Sequence, residues 1–165
     1  MGKGVQIFPE CDGDTALIEV LGFKNPNHQL SISRVLHALS TSKSKALLIG
    51  VIDNDKRKPT GFQEFTITQN EQDYAICKHM DRNHYLFVIN PALEKFLFKA
   101  AEQTNVDPAK FGFSDIERLK KVCKNRGVRT NNNFKQFVNT IQQKKEDSCV
   151  RALKKWLFEI LGHDD

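Results

Sequence analysis

The feature that most constrains the fold is a run of seven small or apolar residues at 46–52 that leads directly into Asp53-Asn54-Asp55. A segment that is apolar at every position is typical of a parallel strand with helices on both faces of its sheet. Two carboxylates, one residue apart, therefore follow the strand that we expect to be most buried. Three cations, Lys56, Arg57 and Lys58, come directly after them.

Strand and helix patterns surround this run. The segments that we expect to be ordered elements are strands at 4–9, 46–52, 74–80 (a sheet edge) and 84–89, and helices beginning near Asp14, Ser31 and Pro91. Residues 59–73 give no clear pattern. The alternation predicts an α/β fold over residues 1–104, a Rossmann-like sandwich with a mostly parallel central sheet. Residues 105–165 carry helical patterns alone, and we expect them to form a basic helical extension packed on the first part.

Composition narrows the class of protein. The chain has 165 residues, of which 39% are hydrophobic and 27% charged, as in ordinary globular domains. It contains no apolar run long enough to span a membrane, and its first residues lack the apolar segment of a secretion signal. The four cysteines are scattered without a C-x-x-C pair, so we expect reduced thiols and a cytoplasmic location rather than disulfides or a zinc site.

The net charge of +5 is unevenly distributed along the chain. Residues 1–104 hold 12 Lys/Arg and 12 Asp/Glu, whereas residues 105–165 hold 13 and 8. Residues 118–129 alone contain six cations and no acid, and helical spacing places Arg118, Lys121 and Lys124 on one side. Such a face can bind a nucleic-acid backbone without reading its sequence. A solvated helix surface is the alternative interpretation.

The acidic residues suggest a metal site. In a parallel α/β sheet, functional residues collect at the carboxyl ends of the strands. Glu10, Asp53 and Asp55 are expected to lie there, with Asp12 and Asp14 just beyond the first strand. Two carboxylates about 4 Å apart repel by roughly 4 kcal/mol at an effective dielectric near 20. A cation among them would remove this repulsion, and an all-oxygen ligand set favours Mg²⁺ or Mn²⁺.

Two motifs together resemble the Toprim family, which includes the catalytic modules of topoisomerases, bacterial primases, small maturation ribonucleases and OLD-type nucleases. The motifs are E-C-D-G-D at 10–14 and D-N-D at 53–55, and the resemblance covers about residues 4–104. It implies that Glu10 acts as general acid/base or metal ligand, and that Asp53 and Asp55 bind Mg²⁺, with Asp14 as the less strictly catalytic aspartate.

Two further positions bear on this resemblance. Cys11 stands where Toprim domains usually have glycine, so its side chain can narrow the approach of a phosphate to the backbone. Glu94, after the late strand, is either an accessory metal ligand or an ordinary glutamate in the first turn of a helix.

The function we expect from these residues is Mg²⁺- or Mn²⁺-dependent phosphodiester hydrolysis on DNA or RNA. In that interpretation Lys56, Arg57 and Lys58 contact phosphates. Tyr74 and Tyr85 lie in predicted strands, so activated water rather than a tyrosine is the expected nucleophile. One alternative is a catalytically degenerate Toprim fold that binds nucleic acid or a partner. A second is a receiver-like phosphoacceptor domain, although residues 84–91 lack the lysine and Ser/Thr that it needs.

Overall fold

The computed structural model describes residues 6–43, 45–54 and 57–162, which form an α/β fold as predicted. The strands are β1 (Gln6–Pro9), β2 (Leu48–Asp53), β3 (Phe65–Asn70), β4 (Tyr74–His79) and β5 (His84–Ile89). The helices are α1 (Asp12–Val20), α2 (Ile32–Thr41), α3 (Leu93–Gln103), α4 (Ile116–Cys123), α5 (Asn132–Gln143) and α6 (Cys149–Leu161). Short 3₁₀ segments lie at Thr60–Glu64, Pro108–Phe111 and Arg126–Thr130.

The strands form one mixed sheet in the order β1-β2-β5-β4-β3. β1 pairs with β2, and β2 with β5, in parallel, whereas β4 is antiparallel to both β5 and β3. The prediction of a mostly parallel sheet is therefore wrong. The reason lies in the connections: β3, β4 and β5 follow one another through short turns, and parallel neighbours need a crossover of a dozen or more residues.

The same pairing corrects the assignment of the sheet edge. β4 was predicted to be an edge strand, but it lies between β5 and β3. The edge is β3, which arises from the segment without a clear pattern and is exposed along most of its length. The other edge is β1, whose outer side is paired by the loop at 27–29: Asn27 N donates to Ile7 O at 2.7 Å, and Gln29 N donates to Pro9 O at 2.9 Å.

Helices cover both faces of the parallel part of the sheet. α2 packs on one face, where Val35 and Leu39 meet Leu86. On the other face α1 and α3 pack against the sheet, and the helices of residues 105–162 pack over them in the same hydrophobic cluster. Within the described ranges, no helix is long and apolar enough to cross a membrane.

α1 is enclosed on both sides. Ala16, Leu17 and Ile18 are at most 2% exposed, because the sheet lies on one side of the helix and the helical extension on the other. Arg129, in the last 3₁₀ segment, donates from Nε to Glu19 Oε1 at 2.9 Å and so ties the extension to α1. The boundary at residue 104 stays a prediction, since hydrophobic side chains from both parts share one core.

Candidate functional site

A cavity of about 230 Å³ lies at the carboxyl ends of β1 and β2, where sequence analysis expects the site. Its walls come from four parts of the chain: the turn after β1, the end of β2, the start of α3 and the outer helix α4. The lining residues are Glu10, Cys11, Asp12, Asp53, Leu93, Glu94, Lys120, Cys123 and Lys124. The cavity therefore combines four carboxylates, two ammonium groups and two thiols.

Glu10 and Asp53 are joined directly. Glu10 follows β1 and is only 2% exposed. Its backbone N–H donates to Val51 O at 2.9 Å, which extends the β1–β2 ladder by one residue. Its Oε2 accepts a hydrogen bond from the backbone N–H of Asp53 at 3.0 Å. The Glu10 carboxylate is thus oriented by the last residue of β2, and the Asp53 side chain stands beside it in the same cavity.

Cys11 and Asp14 form the cap of α1 beneath the cavity. Cys11 is the N-cap residue: its Sγ accepts from Asp14 N at 3.4 Å and donates to Asp14 Oδ2 at 3.2 Å. Asp14 is fully buried and is not itself a lining residue, but it contacts the lining residue Cys11 through these two bonds. Burial, with added repulsion from Asp14 and Asp53, raises the pKa of the Cys11 thiol, which therefore stays protonated at neutral pH.

Asp12 is a lining residue that was expected at this edge of the sheet but was given no role in the site. Its Oδ1 lies 3.4 Å from Nδ1 of His28, and that ring nitrogen is also 3.2 Å from Thr15 Oγ1. The sequence signal for Asp12 is its place in the acidic turn at 10–14. His28 carries no such signal, because the loop after α1 brings it back over the turn only in the folded chain.

α3 and α4 complete the walls. Glu94 lies in the first turn of α3 and lines the cavity, next to the buried Leu93. Burial raises the pKa of Cys123 on α4, and Asp14, Glu94 and Asp53 add to this effect in that order. Acids from three separate elements are therefore close enough to act on one thiol.

The cations that face the acids come from α4. Lys120 and Lys124 are four residues apart, so they share one face of the helix, and both line the cavity. The predicted Lys124 is part of this pair, but the predicted Arg118 and Lys121 are exposed and lie outside the lining. Lys120 was not predicted. The face of α4 that was predicted to bind, with Arg118 and Lys121, is rotated by one residue position from the face that packs against α1.

Gly13 allows α4 to approach this closely. A β-carbon at position 13 would lie 2.7 Å from Cδ2 of Leu93 and 3.1 Å from both Cβ and O of Cys123. Side chains therefore do not fit between α1, α3 and α4 at this point. The close contact fixes the distance between the lysines of α4 and the acidic turn.

One acid and three cations were also predicted to contribute to the site directly after β2. Asp55 and Lys56 lie outside the described residues. Arg57 is exposed. Nζ of Lys58 donates to Asn54 Oδ1 at 2.7 Å and lies 5.8 Å from the centre of the Phe62 ring, so this side chain packs beside the α2 face and is not a lining residue.

Metal-ligating groups are only partly assembled in the described part of the chain. Among residues 6–43, 45–54 and 57–162, no group of three or more His, Cys, Asp or Glu side chains is placed closely enough to hold a metal ion. What the structure brings together is an acidic recess with two lysines across from it.

Comparison with known proteins adds no relative. A scan of family models, a search of curated proteins and a search of solved structures each give no match. The resemblance to Toprim domains therefore depends on the two acidic motifs.

Proposed function

We propose that this chain is a Mg²⁺- or Mn²⁺-dependent phosphodiesterase of Toprim type that hydrolyses nucleic acid. The observation that supports this proposal is the meeting of Glu10, Asp53 and Glu94, from three separate elements, in one cavity with Lys120 and Lys124. Carboxylates would hold the cation, and ammonium groups would contact the phosphate.

The donor atoms suit a hard divalent cation. The acids offer only oxygen ligands, and the two thiols in the cavity stay protonated because their pKa values are raised. Mg²⁺ commonly binds through one or two carboxylates, with water and substrate phosphate filling the other positions. Asp53 and Glu94 would meet that need without a third protein ligand, which leaves proton transfer to Glu10. When bound, the ion would neutralise the phosphodiester and lower the pKa of a coordinated water.

The residues of the chain have distinct tasks in this proposal. Asp53 and Glu94 would hold the ion, and the backbone N–H of Asp53 orients Oε2 of Glu10. Glu10 then takes a proton from the attacking water and returns one to the leaving oxygen. Cys11 and Cys123 take no part as nucleophiles, since a protonated thiol is unreactive.

A second candidate function is a degenerate Toprim fold that binds nucleic acid without cleaving it. Cys11 favours this alternative, because its thiol occupies the cap of α1 and part of the cavity wall. A phosphate therefore meets a side chain where glycine would leave the backbone open.

The test uses the full chain with Mn²⁺ and compares the wild type with Glu10→Gln and Asp53→Asn. Supercoiled plasmid and single-stranded RNA serve as substrates. We expect cleavage by the wild type and a loss of at least 100-fold in both variants. Glu117→Gln, an exposed acid on α4 outside the cavity lining, should cleave like the wild type.

Metal binding is measured separately, by thermal unfolding. Mn²⁺ at 100 times its Kd stabilises the native state by about 2.7 kcal/mol. That corresponds to a Tm increase of about 5–10 °C for a chain of this size. The increase should be lost in Asp53→Asn. Metal stabilisation without cleavage would favour the degenerate module, and cleavage that persists in both acid variants would contradict the proposed site.

A further inference from the structure

We infer that the cavity takes a single strand of nucleic acid and that Lys120 and Lys124 of α4 hold the phosphates of that strand. This inference rests on the proposed function and names its substrate class. It makes the helical extension a wall of the site.

The first argument is that the acidic residues of the cavity lie below the protein surface. Glu10 is 2% exposed, and it stands in a recess of about 230 Å³ whose walls include Leu93 and Cys123. A scissile phosphate must therefore enter the recess. Duplex DNA is stiff, with a persistence length of about 150 bp, and it carries its phosphates on a convex surface. A single strand bends at each nucleotide and can lead one phosphate inward.

The second argument is that α4 is held firmly in place. Leu119 is fully buried and Cys123 is 5% exposed, so the inner face of this helix belongs to the core. Gly13 sits directly against Cys123, where a β-carbon would lie 3.1 Å from its carbonyl oxygen. The ion pair between Arg129 and Glu19 ties the next segment to α1. A duplex that needed α4 to move aside would have to break this packing.

The third argument is the placement of the two lysines. Lys120 is half-buried and Lys124 is exposed, so the pair leads from the recess towards solvent. An ammonium group binds a phosphate as a point charge and reads no base. The geometry points to contacts with consecutive phosphates of one strand and to little preference for sequence.

The first experiment compares one oligonucleotide as a single strand and in a blunt duplex, both with the wild-type full chain and Mn²⁺. We expect the single strand to be cleaved at least 10-fold faster. Equal or faster cleavage of the duplex would overturn the inference and leave the proposed function standing.

The second experiment measures binding without cleavage, by fluorescence anisotropy of the labelled single strand in Ca²⁺ over a range of salt concentrations. Each phosphate contact to a single strand contributes about 0.7 to the slope of log K against log[salt]. Lys120→Gln/Lys124→Gln should therefore lower that slope by about 1.4. The charge-matched control is Lys110→Gln/Lys135→Gln, two exposed lysines outside the cavity lining, which should keep the wild-type slope.

The outcomes separate the two proposals. Lysine-dependent binding of the single strand with no cleavage of any substrate would support the inference and reject the enzyme. A single strand that does not bind, or that binds with the same slope in both double variants, would overturn the inference.

Discussion

Replacing Gly13 by alanine tests whether α4 is fixed against the start of α1. The new β-carbon would lie 2.7 Å from Cδ2 of Leu93 and 3.1 Å from Cβ and O of Cys123. Leu93 is 1% exposed and has little room to turn away, and the Cys123 contacts include helix backbone. The substitution therefore forces α1, α3 and α4 apart by some tenths of an ångström.

Two opposing effects set the size of the change in stability. Alanine gains about 0.5–1 kcal/mol over glycine within a helix. Overpacking of a filled core costs about 1–3 kcal/mol. Gly13 lies in the first turn of α1, so we take the lower gain of about 0.5 kcal/mol. We then expect a net loss of about 0.5–2.5 kcal/mol, which lowers Tm by about 1–10 °C for a chain of this length.

Urea unfolding and calorimetry of Gly13→Ala measure this loss. Gly61→Ala is the matched control, because a β-carbon at position 61 would lie no closer than 3.8 Å to any atom of Leu36, an ordinary contact. Its stability should stay within about 0.5 kcal/mol of the wild type. A Gly13→Ala variant as stable as the wild type would refute the reasoning, since α4 would then have slack against α1.

Two further predictions concern titrating side chains. Burial raises the pKa of Cys77 to about 11 and that of Cys149 to about 12, and it raises those of Cys11 and Cys123 as well. Ellman's reagent at pH 8 should therefore react with the native thiols at least about 100-fold more slowly than with the same thiols in guanidinium, where the ordinary pKa near 8.5 returns; rapid reaction of one native thiol would contradict this. Burial, then His79 and Arg82, lower the pKa of His84, which is 1% exposed, so the unfolded chain takes up this proton first as pH falls below about 6.5. The free energy of unfolding should therefore be highest above that pH and fall below it. Urea unfolding at pH 7.5 and 5.5 should show a smaller decrease in this free energy for His84→Gln than for the wild type, and equal decreases would contradict the assignment to His84.

The parts of the fold that were predicted correctly carry strong local patterns. β2 is apolar up to Asp53 and β5 is apolar after His84, and nearly every residue in both strands is buried. β3 had no such pattern, because it is an exposed edge strand with no buried face to impose alternation. The segments of β4 and β5 were predicted with a turn at 81–83 between them, which is a hairpin signal, but β3 was not recognised and the sheet was predicted to be mostly parallel.

The candidate site was also predicted only in part. Glu10 and Asp53 follow apolar strands, so their position at the sheet rim could be predicted from the chain alone. Asp14 is buried and does not line the cavity, but its Oδ2 accepts from the thiol of the lining residue Cys11, so its role in the site stays a prediction. Lys120 depends on how α4 packs across α1, which no local pattern encodes.

Because α1 is buried on both sides, the acidic turn at its start is attached to a helix that has little room to move. The turn after β1 leads into α1, which lies between the sheet and the helices of residues 105–162. A shift of Glu10 along the axis of α1 would therefore require both the sheet and these helices to move. Residues 105–162, about a third of the chain, therefore help to hold the start of α1 in place. Shortening the protein to its first 104 residues would expose the outer side of α1 and loosen the turn that carries Glu10.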